Sequence, residues 1–368
     1  MLFSFIIPTH NRQEELALTL AAIGRLDAAK LGECEVIVVD NASRFHPTPP
    51  SKLANGIPVR TLIRLENEAA ASRNAAAREA RGAWLIMLDD DSAPLDENFV
   101  TELLAAPREI AAIGADIRLT DGSREHGGLP EVFIGCGVAI RRDLFLKLGG
   151  YDPTFIYYAE EYDLAARILQ AGHQIIHSRA FRIEHRKVTS GRDMNHIIRL
   201  LTRNNAWVIQ RYAPDDVRHE ALIEILARYS DIAEKENALD GYRIGREELI
   251  DTLPSQTRAP LSRTLYERFT GLAQTRDHLT GRLAELGAQR IALVDPGKNA
   301  WVIRAVLDEA GIAIVSTTDN PDALVIGTLS PGPMLDAWER RQGEHTTTPV
   351  LTPWLLPDSV RTACWAAA

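Results

Sequence analysis

Short apolar runs alternate with helical stripes along the first 90 residues of the chain. Four runs have the length of a buried β-strand, namely 2–7, 35–39, 59–65 and 84–88. Between them, Leu16, Leu20 and Ile23 recur at helical spacing, and an alanine-rich segment covers 68–80. This alternation predicts an α/β fold in which helices cover both faces of a sheet.

Polar residues follow three of these four runs. They are Pro8-Thr9, Asp40-Asn41 and Asp89-Asp90-Asp91. In sheets of this class, ligands bind beyond the carboxyl ends of the strands. We therefore expect the three polar strand ends to line one crevice.

The rest of the chain contains further sections with different patterns. Strand and helix signals continue less regularly to about residue 215, with a strand expected over 132–140, a helix over 159–172 and two short strands over 173–177 and 181–185. Helical periodicity then dominates to 287, and a second, smaller strand–helix alternation begins at Arg290. We expect three domains: an α/β domain over 1–215, a helical linker section over 216–287, and a small Rossmann-like α/β domain over 288–368.

The composition is that of a folded protein and limits its partners. Of 368 residues, 45% are hydrophobic, and the formal net charge of −9 argues against a nucleic-acid partner. Three widely spaced cysteines, Cys34, Cys136 and Cys364, form neither a disulfide framework nor a zinc motif. The first apolar run lacks the flanks of a signal peptide, and no run reaches the length of about 18 residues that spans a membrane. A reducing, cytoplasmic location is expected.

The segment LIMLDDDS (85–92) carries the most informative chemistry. An apolar strand delivers three acidic residues into the predicted crevice, where a divalent cation would relieve their repulsion. Such oxygen ligands predict a Mg²⁺ or Mn²⁺ site that also binds a nucleotide. Two other interpretations stay open: a solvated acidic turn, and the D-x-D pattern of the aspartate phosphatases, in which the first Asp is a nucleophile.

Seven segments of the first 215 residues resemble, in order, the family 2 glycosyltransferases. These enzymes have the A-type fold and move a sugar from a nucleotide donor to an acceptor. The segments are FIIPTHNR (5–12), VIVVDNAS (36–43), NEAAASRNAAAREARGAWLIMLDDDS (67–92), GCGVAIRRDLFLKLGGYDPTF (135–155), YAEEYDLAARILQAG (158–172), IEHRKVTSGR (183–192) and RLLTRNNAWVIQRY (199–212). The resemblance implies a Rossmann-like mixed sheet with helices on both faces, and it makes residues 1–215 the catalytic domain.

The resemblance also implies roles for residues on the donor side. Those expected to bind the nucleotide sugar are Pro8, Thr9, Asn11, Arg12, Asp40, Asn41, Arg73, Asn74, Asp89 and Asp90. Asp91 matches the last acid of the D-x-D motif and is expected to contact the metal. His185 aligns with a histidine that completes the metal site in many relatives. A strand-end histidine without a metal role is the alternative.

The segment that carries the family's catalytic base departs from the usual pattern. The family usually has Glu-Asp where this chain has Glu160-Glu161, so Glu161 takes the position of the base with one extra methylene. A carboxylate of either length can deprotonate a hydroxyl. Asp163 is expected to pair with Arg167 at helical spacing. On the acceptor side the resemblance implies Gly137, Tyr151, Tyr158 and Glu160.

These features predict an inverting glycosyltransferase that moves a hexosyl or deoxyhexosyl unit from a nucleoside-diphosphate sugar to a hydroxyl of a glycan or lipid-linked acceptor. Mg²⁺ or Mn²⁺ is the expected cofactor, and polysaccharide biosynthesis is the expected process. Peripheral association with the inner face of the membrane and homo-oligomer formation stay open. The alternative is a nucleotide-sugar-binding protein with reduced catalysis, for which Glu161 in the Asp position is the warning sign.

Overall fold

An eight-stranded sheet organises the first part of the structure, a computed structural model that describes residues 1–187, 193–344 and 348–360. The strands are β1 (Phe3–Thr9), β2 (Cys34–Asn41), β3 (Val59–Arg64), β4 (Trp84–Leu88), β5 (Ser92–Pro94), β6 (Ile110–Leu119), β7 (Gly137–Arg141) and β8 (Gln174–His185). Their order across the sheet is β3-β2-β1-β4-β7-β6-β8-β5. The first four in this order are parallel, whereas β7 runs antiparallel to both of its neighbours. The sheet is therefore mixed.

Helices cover both faces of this sheet, as predicted. They are α1 (Gln13–Ile23), α2 (Ala28–Leu31), α3 (Arg73–Glu79), α4 (Asn98–Ala105), α5 (Arg142–Lys147) and α6 (Glu160–Gln170). Successive side chains of β1 point to opposite layers. Phe5 and Ile7 pack in the cluster that contains Leu16 of α1, while Ile6 packs in the cluster that contains Ala76 of α3.

The register of the parallel strands brings the polar strand ends to one edge. Thr9 is the register partner of Asp40, and Ile6 is the partner of Met87. The acidic residues after Leu88 therefore lie beside the end of β1. The ends of β1, β2 and β4 are adjacent, as the sequence predicts.

The strand predictions over 132–140 and 173–185 need correction, and one strand is not predicted. The strand expected over 132–140 is limited to β7, because residues 129–132 form a hydrogen-bonded turn and the Gly135 N–H donates to the Glu161 side chain. The two strands expected over 173–177 and 181–185 are one strand, β8, whose pairing with β6 shifts register after Ala115. The three-residue strand β5 has no apolar run that would mark it.

The helical section packs through a close approach of two helix backbones. The described part of this section contains α7 (Met194–Tyr212), α8 (Asp215–Lys235), α9 (Leu239–Thr252), α10 (Arg263–Thr270) and α11 (Leu272–Leu286). A Cβ added at Gly241 would lie 2.1 Å from the Asn195 carbonyl oxygen, and one at Gly245 would lie 2.5 Å from that of Arg199. Because only glycine permits this distance, α9 fixes the position of α7 closely.

The last section contains a second, four-stranded parallel sheet. Its elements are β9 (Arg290–Val294), α12 (Ala300–Glu309), β10 (Ala313–Ile314), β11 (Ala323–Ile326), α13 (Pro331–Gly343) and β12 (Val350–Leu351), with the strand order β10-β9-β11-β12. This C-terminal unit contacts the first sheet region: Arg124 pairs with Asp336 and Glu339 of α13, and the Val360 N–H donates to Glu102. The two boundaries between the three domains stay predictions.

Two parts of the sequence interpretation fall outside the described residues. They are the second half of the segment 183–192, from 188 onward, and the C-terminal residues 361–368 with Cys364. Within the described ranges, no helix combines the length and apolar character needed to cross a bilayer.

Candidate active site

The acidic end of β4 is paired with a cation from the loop after β1. Arg12 Nη1 lies 3.0 Å from Asp90 Oδ1, and its Nη2 lies 2.7 Å from Asp91 Oδ2. Thr9 Oγ1 donates to Asp90 Oδ2 at 2.8 Å. Both aspartates are buried, so Arg12 supplies part of the positive charge that three adjacent carboxylates need.

The two buried aspartates titrate differently because their partners differ. Burial raises the pKa of Asp90 to about 7, and the Arg12 charge offsets only part of this effect. Burial also acts on Asp91, but hydrogen bonds with His185 and Arg12 prevail and hold the pKa of that carboxyl well below its usual range. Asp91 is therefore ionised at neutral pH, which is the state that a metal ligand requires.

Asp89 pairs with a different cation, Arg73 of α3. Its carboxylate forms an ion pair with Arg73 Nη2, which also donates to the Leu88 carbonyl at 3.0 Å. Arg73 is buried, and its Nε has no hydrogen-bond partner among the described residues. This buried N–H therefore has its capacity to donate a hydrogen bond unused within the described residues.

His185, at the end of β8, lies between two carboxylates. Its Nε2 is 3.3 Å from Asp91 Oδ1, and its Nδ1 is 2.9 Å from Glu125 Oε2. The second oxygen of Glu125 binds Lys187 Nζ at 2.6 Å. Burial lowers the pKa of His185, but its hydrogen bonds, that with Asp91 foremost, outweigh burial and raise the pKa to about 12. The ring must give up a proton before Nε2 can bind a metal.

The donor atoms of this cluster fit a hard divalent cation. Ligand atoms of Asp89, Cys136 and His185 lie within 4.8 Å of one another, and the 3.3 Å between Asp91 Oδ1 and His185 Nε2 suits two neighbouring ligands of one ion. Oxygen and imidazole ligands suit Mg²⁺ or Mn²⁺, whereas a thiol does not. Burial raises the pKa of Cys136 to about 11, so this thiol stays protonated. Asp91 and His185, whose ligand atoms lie 3.3 Å apart, would hold the cation.

Two predicted nucleotide-binding residues at the end of β2 form hydrogen bonds from their side chains to the protein's own backbone. Asp40 is fully buried and accepts from the Ser43 N–H at 3.0 Å. Asn41 accepts from the Glu68 N–H at 2.8 Å. Both side chains therefore fix the loops that border the crevice.

The other predicted donor-side residues also connect segments of the crevice wall. Asn11 Oδ1 accepts from the Arg44 N–H at 2.7 Å. Asn74 makes two hydrogen bonds with the backbone of Tyr151, accepting at 2.9 Å and donating at 2.8 Å. Pro8 is half-buried near the end of β1. Asn74 thus ties α3 to the segment predicted to face the acceptor.

Two glutamates begin α6. Glu160 is buried, and its Oε2 has no hydrogen-bond partner in the described part of the chain. Glu161 is half-buried, and its Oε1 accepts from the Gly135 N–H at 3.2 Å. Burial is the main cause that raises the pKa of both carboxyls, and the neighbouring Glu161 charge raises that of Glu160 further. Both carboxyls therefore keep a proton to higher pH than an isolated glutamate does.

The remaining predicted acceptor-side residues are Tyr151, Gly137 and Tyr158. Tyr151 is buried, burial raises its pKa, and its hydroxyl has no partner among the residues that the structure describes. Gly137 is buried at the start of β7. Tyr158 lies two residues before the start of α6 at Glu160, and it is 36% exposed.

The loop before α6 has a strained backbone. Ile156, Tyr158 and Ala159 all have φ between 65° and 70°, a region that residues other than glycine rarely adopt. Asn204 of α7 is fully buried beside this loop. Its Nδ2 donates to the carbonyl oxygens of Phe155, Tyr157 and Tyr158 at 2.8–2.9 Å. Asn204 therefore holds the strained loop in place.

Two residues of the site, Glu125 and Asn204, are not among the predicted site residues. Glu125 lies in a polar, glycine-rich stretch that contains no motif, and the sequence offers no signal for it. Asn204 lies within the segment 199–212. A polar residue on the buried face of a helix is a signal that could have singled it out.

The mixed sheet with helices on both faces has the A-type glycosyltransferase fold. A similar fold is that of TarS residues 1–349 from S. aureus, solved in complex with UDP-GlcNAc. The two share 15% identity with a TM-score of 0.50, and the match covers 85% of this chain and 93% of that one. At this level of identity the likeness concerns the fold.

Residues 4–163 match the family model of glycosyl transferase family 2. The resemblance seen in the sequence is therefore confirmed over this segment. Among curated proteins, the chain is similar to an uncharacterized glycosyltransferase of Haemophilus influenzae, with 28% identity over 198 residues, 46% of this chain and 62% of the relative. It is also similar to an O-antigen biosynthesis protein of Myxococcus xanthus, with 24% identity over 228 residues, 51% of this chain and 18% of the relative. The matches thus span less than two thirds of either relative.

Proposed function

We propose that the chain is an inverting glycosyltransferase that moves a sugar from a nucleoside-diphosphate sugar to an acceptor hydroxyl. One observation carries the proposal: hydrogen bonds connect the segment of the candidate base to the acidic strand end. Glu161 Oε1 accepts from the Gly135 N–H at 3.2 Å, and the carbonyl of the next residue, Cys136, accepts from Ser92 Oγ at 2.9 Å. Ser92 Oγ in turn accepts from the Asp89 N–H at 2.8 Å. A candidate base and a candidate metal site therefore share one crevice.

The donor side of the proposal depends on two arginines beside the acidic strand end. Arg73 has an unused Nε–H, and the Arg12 side chain is 37% exposed although it pairs with two aspartates. Guanidinium groups bind phosphate oxygens well, through parallel hydrogen bonds. We expect the diphosphate to lie between these arginines and the cation. UDP-sugars are the first donors to test, since TarS binds UDP-GlcNAc.

Glu161 is a better candidate for the base than Asp163. Asp163 Oδ2 accepts from Arg167 at 2.6 and 2.9 Å. Its Oδ1 accepts from Arg211 at 2.8 Å and from the Tyr212 hydroxyl at 2.7 Å. A carboxylate so fully bonded is a poor base. Glu161 accepts a single hydrogen bond of 3.2 Å from a described residue and has a raised pKa, which suits a general base.

In the proposed reaction, Glu161 takes the proton of the acceptor hydroxyl while that oxygen attacks the anomeric carbon. The bond from this carbon to the diphosphate oxygen breaks, and the diphosphate leaves with the bonding electrons. One displacement of this kind inverts the anomeric centre. A divalent cation at Asp91 would supply a Lewis acid and a charge clamp for the leaving diphosphate, and Arg12 and Arg73 would donate hydrogen bonds to it.

The proposed acceptor is a glycan or a lipid-linked sugar. The strained loop presents two tyrosines next to the glutamate pair: Tyr157 is 41% exposed, and Tyr158 is 36% exposed. Aromatic rings with an apolar face and a polar tip suit a sugar ring. We also propose a role in polysaccharide biosynthesis, since the Myxococcus relative is named an O-antigen biosynthesis protein. A place on the cytoplasmic side of the membrane is part of the same proposal.

A donor screen tests the proposal. Thermal unfolding of the full chain is measured with a panel of UDP- and GDP-sugars, each with Mn²⁺, with Mg²⁺ or with chelator. We expect one donor class to raise the melting temperature only when the cation is present. Asp91→Ala should reproduce the effect of chelator, since it removes the ionised ligand. Equal donor affinity in all these conditions would remove the metal from the mechanism.

The same screen separates this proposal from its alternatives. A nucleotide-sugar-binding protein with reduced catalysis would be stabilised by the donor but show neither donor hydrolysis nor transfer. An aspartate phosphatase needs Asp89 as a free nucleophile, whereas Asp89 is paired with Arg73. Release of inorganic phosphate without transfer of a sugar would nevertheless favour the phosphatase.

A further inference from the structure

Glu125 is a buried carboxylate that connects the candidate metal site to a neighbouring segment. Glu125 lies in the segment that follows β6 and folds back against it, where the Glu125 N–H donates to the Ile117 carbonyl at 2.9 Å. One of its oxygens binds His185 Nδ1 at 2.9 Å, and the other binds Lys187 Nζ at 2.6 Å. Lys187 thus occupies one oxygen and leaves the other to His185.

The contact with Glu125 determines which ring nitrogen of His185 faces the acidic cluster. Because Nδ1 is bonded to Glu125, Nε2 is turned toward Asp91, 3.3 Å from its Oδ1. Metal-binding histidines commonly donate their second N–H to a carboxylate, which fixes the orientation of the ring. Glu125 has the position of such a carboxylate.

The C-terminal unit binds Arg124, the residue that precedes Glu125. The Arg124 guanidinium is buried and binds Asp116 at 2.7 Å, Asp336 at 2.7 Å and Glu339 at 2.8 and 2.9 Å. The Arg124 N–H also donates to Asp336 at 2.9 Å. Asp336 and Glu339 both belong to α13, so this helix binds both the side chain and the backbone of Arg124.

The first turn of α13 also lies directly against the backbone of this stretch. A Cβ added at Gly332 would lie 2.3 Å from the Glu125 carbonyl oxygen and 2.8 Å from the Arg124 Cβ. Only glycine allows this approach. The position of Glu125 is therefore set by α13 as well as by the first sheet.

We propose that Glu125 is a positioning residue that directs Nε2 of His185 toward the divalent cation, and that α13 keeps Glu125 in the required place. The inference rests on the proposed function, because it assumes that His185 binds the cation beside Asp91. It gives the C-terminal unit a specific task, namely to complete the support of the metal site.

Direct binding of Mn²⁺ to the full chain tests this inference without any assay of activity. Free Mn²⁺ is followed by its electron paramagnetic resonance signal during titration. Glu125→Ala should weaken Mn²⁺ binding by about 10–100-fold, the usual cost of losing an outer-shell partner of a metal ligand. Glu125→Gln should recover part of the affinity, because its amide oxygen can still accept from Nδ1–H.

A matched control separates this effect from general loss of a buried carboxylate. Glu131 follows Glu125 in the same segment and pairs with Arg268 at 2.8 Å. Among the described residues, no hydrogen bond or ion pair connects it to His185. Glu131→Ala should leave Mn²⁺ affinity unchanged, and thermal unfolding identifies variants that have lost the fold.

A second pair of variants tests the contribution of α13. Gly332→Ala changes no charge, but the added methyl group pushes α13 away from Glu125. Mn²⁺ affinity should therefore fall, as in Glu125→Ala, by up to about tenfold. Gly343→Ala adds the same methyl group to the same helix at a position with no atom within 4 Å, and its affinity should match that of the parent.

The outcomes distinguish failure of this inference from failure of the proposed function. If the parent chain has no saturable Mn²⁺ site, or if Asp91→Asn binds as well as the parent, the proposed metal site is wrong and the inference falls with it. If Asp91→Asn loses Mn²⁺ while Glu125→Ala and Gly332→Ala bind like the parent, only the inference is overturned.

Discussion

At the scale of the residue, carboxylates of similar intrinsic pKa differ in state because their surroundings differ. Asp163 is covered by donors from two arginines and a tyrosine. Asp91 is kept ionised by His185 and Arg12, although it is buried. Glu160 is also buried, but its Oε2 has no donor among the described residues, and its pKa rises well above the ordinary value.

Replacement of the proposed base tests the assignment of Glu161. Glu161→Gln keeps the shape but cannot accept the proton, so transfer should fall by about 10²–10⁴-fold while donor affinity persists. Initial rates of transfer and donor-induced thermal shifts measure the two quantities. Asp163→Asn is the comparison: it should mainly lower stability, because it weakens a buried ion-pair network. Normal turnover in Glu161→Gln together with an inactive but folded Asp163→Asn would move the base by two residues.

The pH dependence of stability tests the state of Glu160. Its folded pKa lies above the value of about 4.3 for an unfolded glutamate. The folded state therefore holds this proton more tightly, and the resulting stabilisation is present below pH 4.3 and lost as pH rises through the folded pKa. Glu160→Gln cannot ionise, so its free energy of unfolding, relative to the parent, should increase from pH 4 to pH 8. Urea unfolding across this range measures it.

A control variant makes this test specific. Glu247 is an exposed glutamate of α9 that pairs with Arg243 at the surface. Glu247→Gln should follow the pH curve of the parent. Parallel curves for Glu160→Gln and the parent would mean that Glu160 is ionised in the folded protein.

At the scale of the element, the sequence predicts those parts of the fold that depend on local patterns. Runs of buried residues identify β1, β2 and β4, and helical spacing identifies α1 and α6. The turn at 129–132 escapes this reasoning, because Val132 and Phe133 are apolar and buried without being in a strand. Strand order and the antiparallel placement of β7 depend on pairing between distant segments, which periodicity does not report.

The strained loop before α6 provides a test at this scale. Asn204→Leu removes three hydrogen bonds to loop carbonyls at nearly constant volume, so stability should fall by about 1–3 kcal/mol. The KM for the acceptor should rise more than the KM for the donor, because the loop presents Tyr157 and Tyr158. Asn205→Leu is the matched control, since Asn205 bonds only the Leu201 carbonyl of its own helix among the described residues.

Chemical denaturation and donor and acceptor saturation curves measure these effects. We expect Asn205→Leu to change each quantity little. Equal increases of both KM values in Asn204→Leu would show that the loop has no preference for the acceptor side.

At the scale of the whole molecule, the C-terminal unit is connected to the site through residues that sequence reasoning does not find. The motif comparison identifies the acids at 89–91 and the glutamate pair, because these are local patterns. Arg124 and Glu125 have partners more than 60 residues away in the chain. Their roles depend on tertiary contacts, which a single sequence does not reveal.

The buried network of Arg124 predicts a large effect on stability. Arg124→Met leaves Asp116 buried with fewer partners and separates α13 from the first sheet region, so the free energy of unfolding should fall by about 3–5 kcal/mol. Arg276 also pairs with two carboxylates, Glu267 and Glu309, but is 35% exposed. Arg276→Met should cost at most about 1 kcal/mol. If urea unfolding shows that both variants lose the same free energy of unfolding, Arg124 does not link α13 to the first sheet region.

The pairing of Arg12 with Asp90 and Asp91 has a consequence for how the protein is made. Many small metal sites are ordered only when the ion arrives, so the chain must wait for metal before it can fold. Here a guanidinium from the neighbouring loop already stands among the acids. We therefore expect a newly synthesised chain to reach its native state before the proposed cation binds, so that the supply of metal would control activity and not the amount of folded protein.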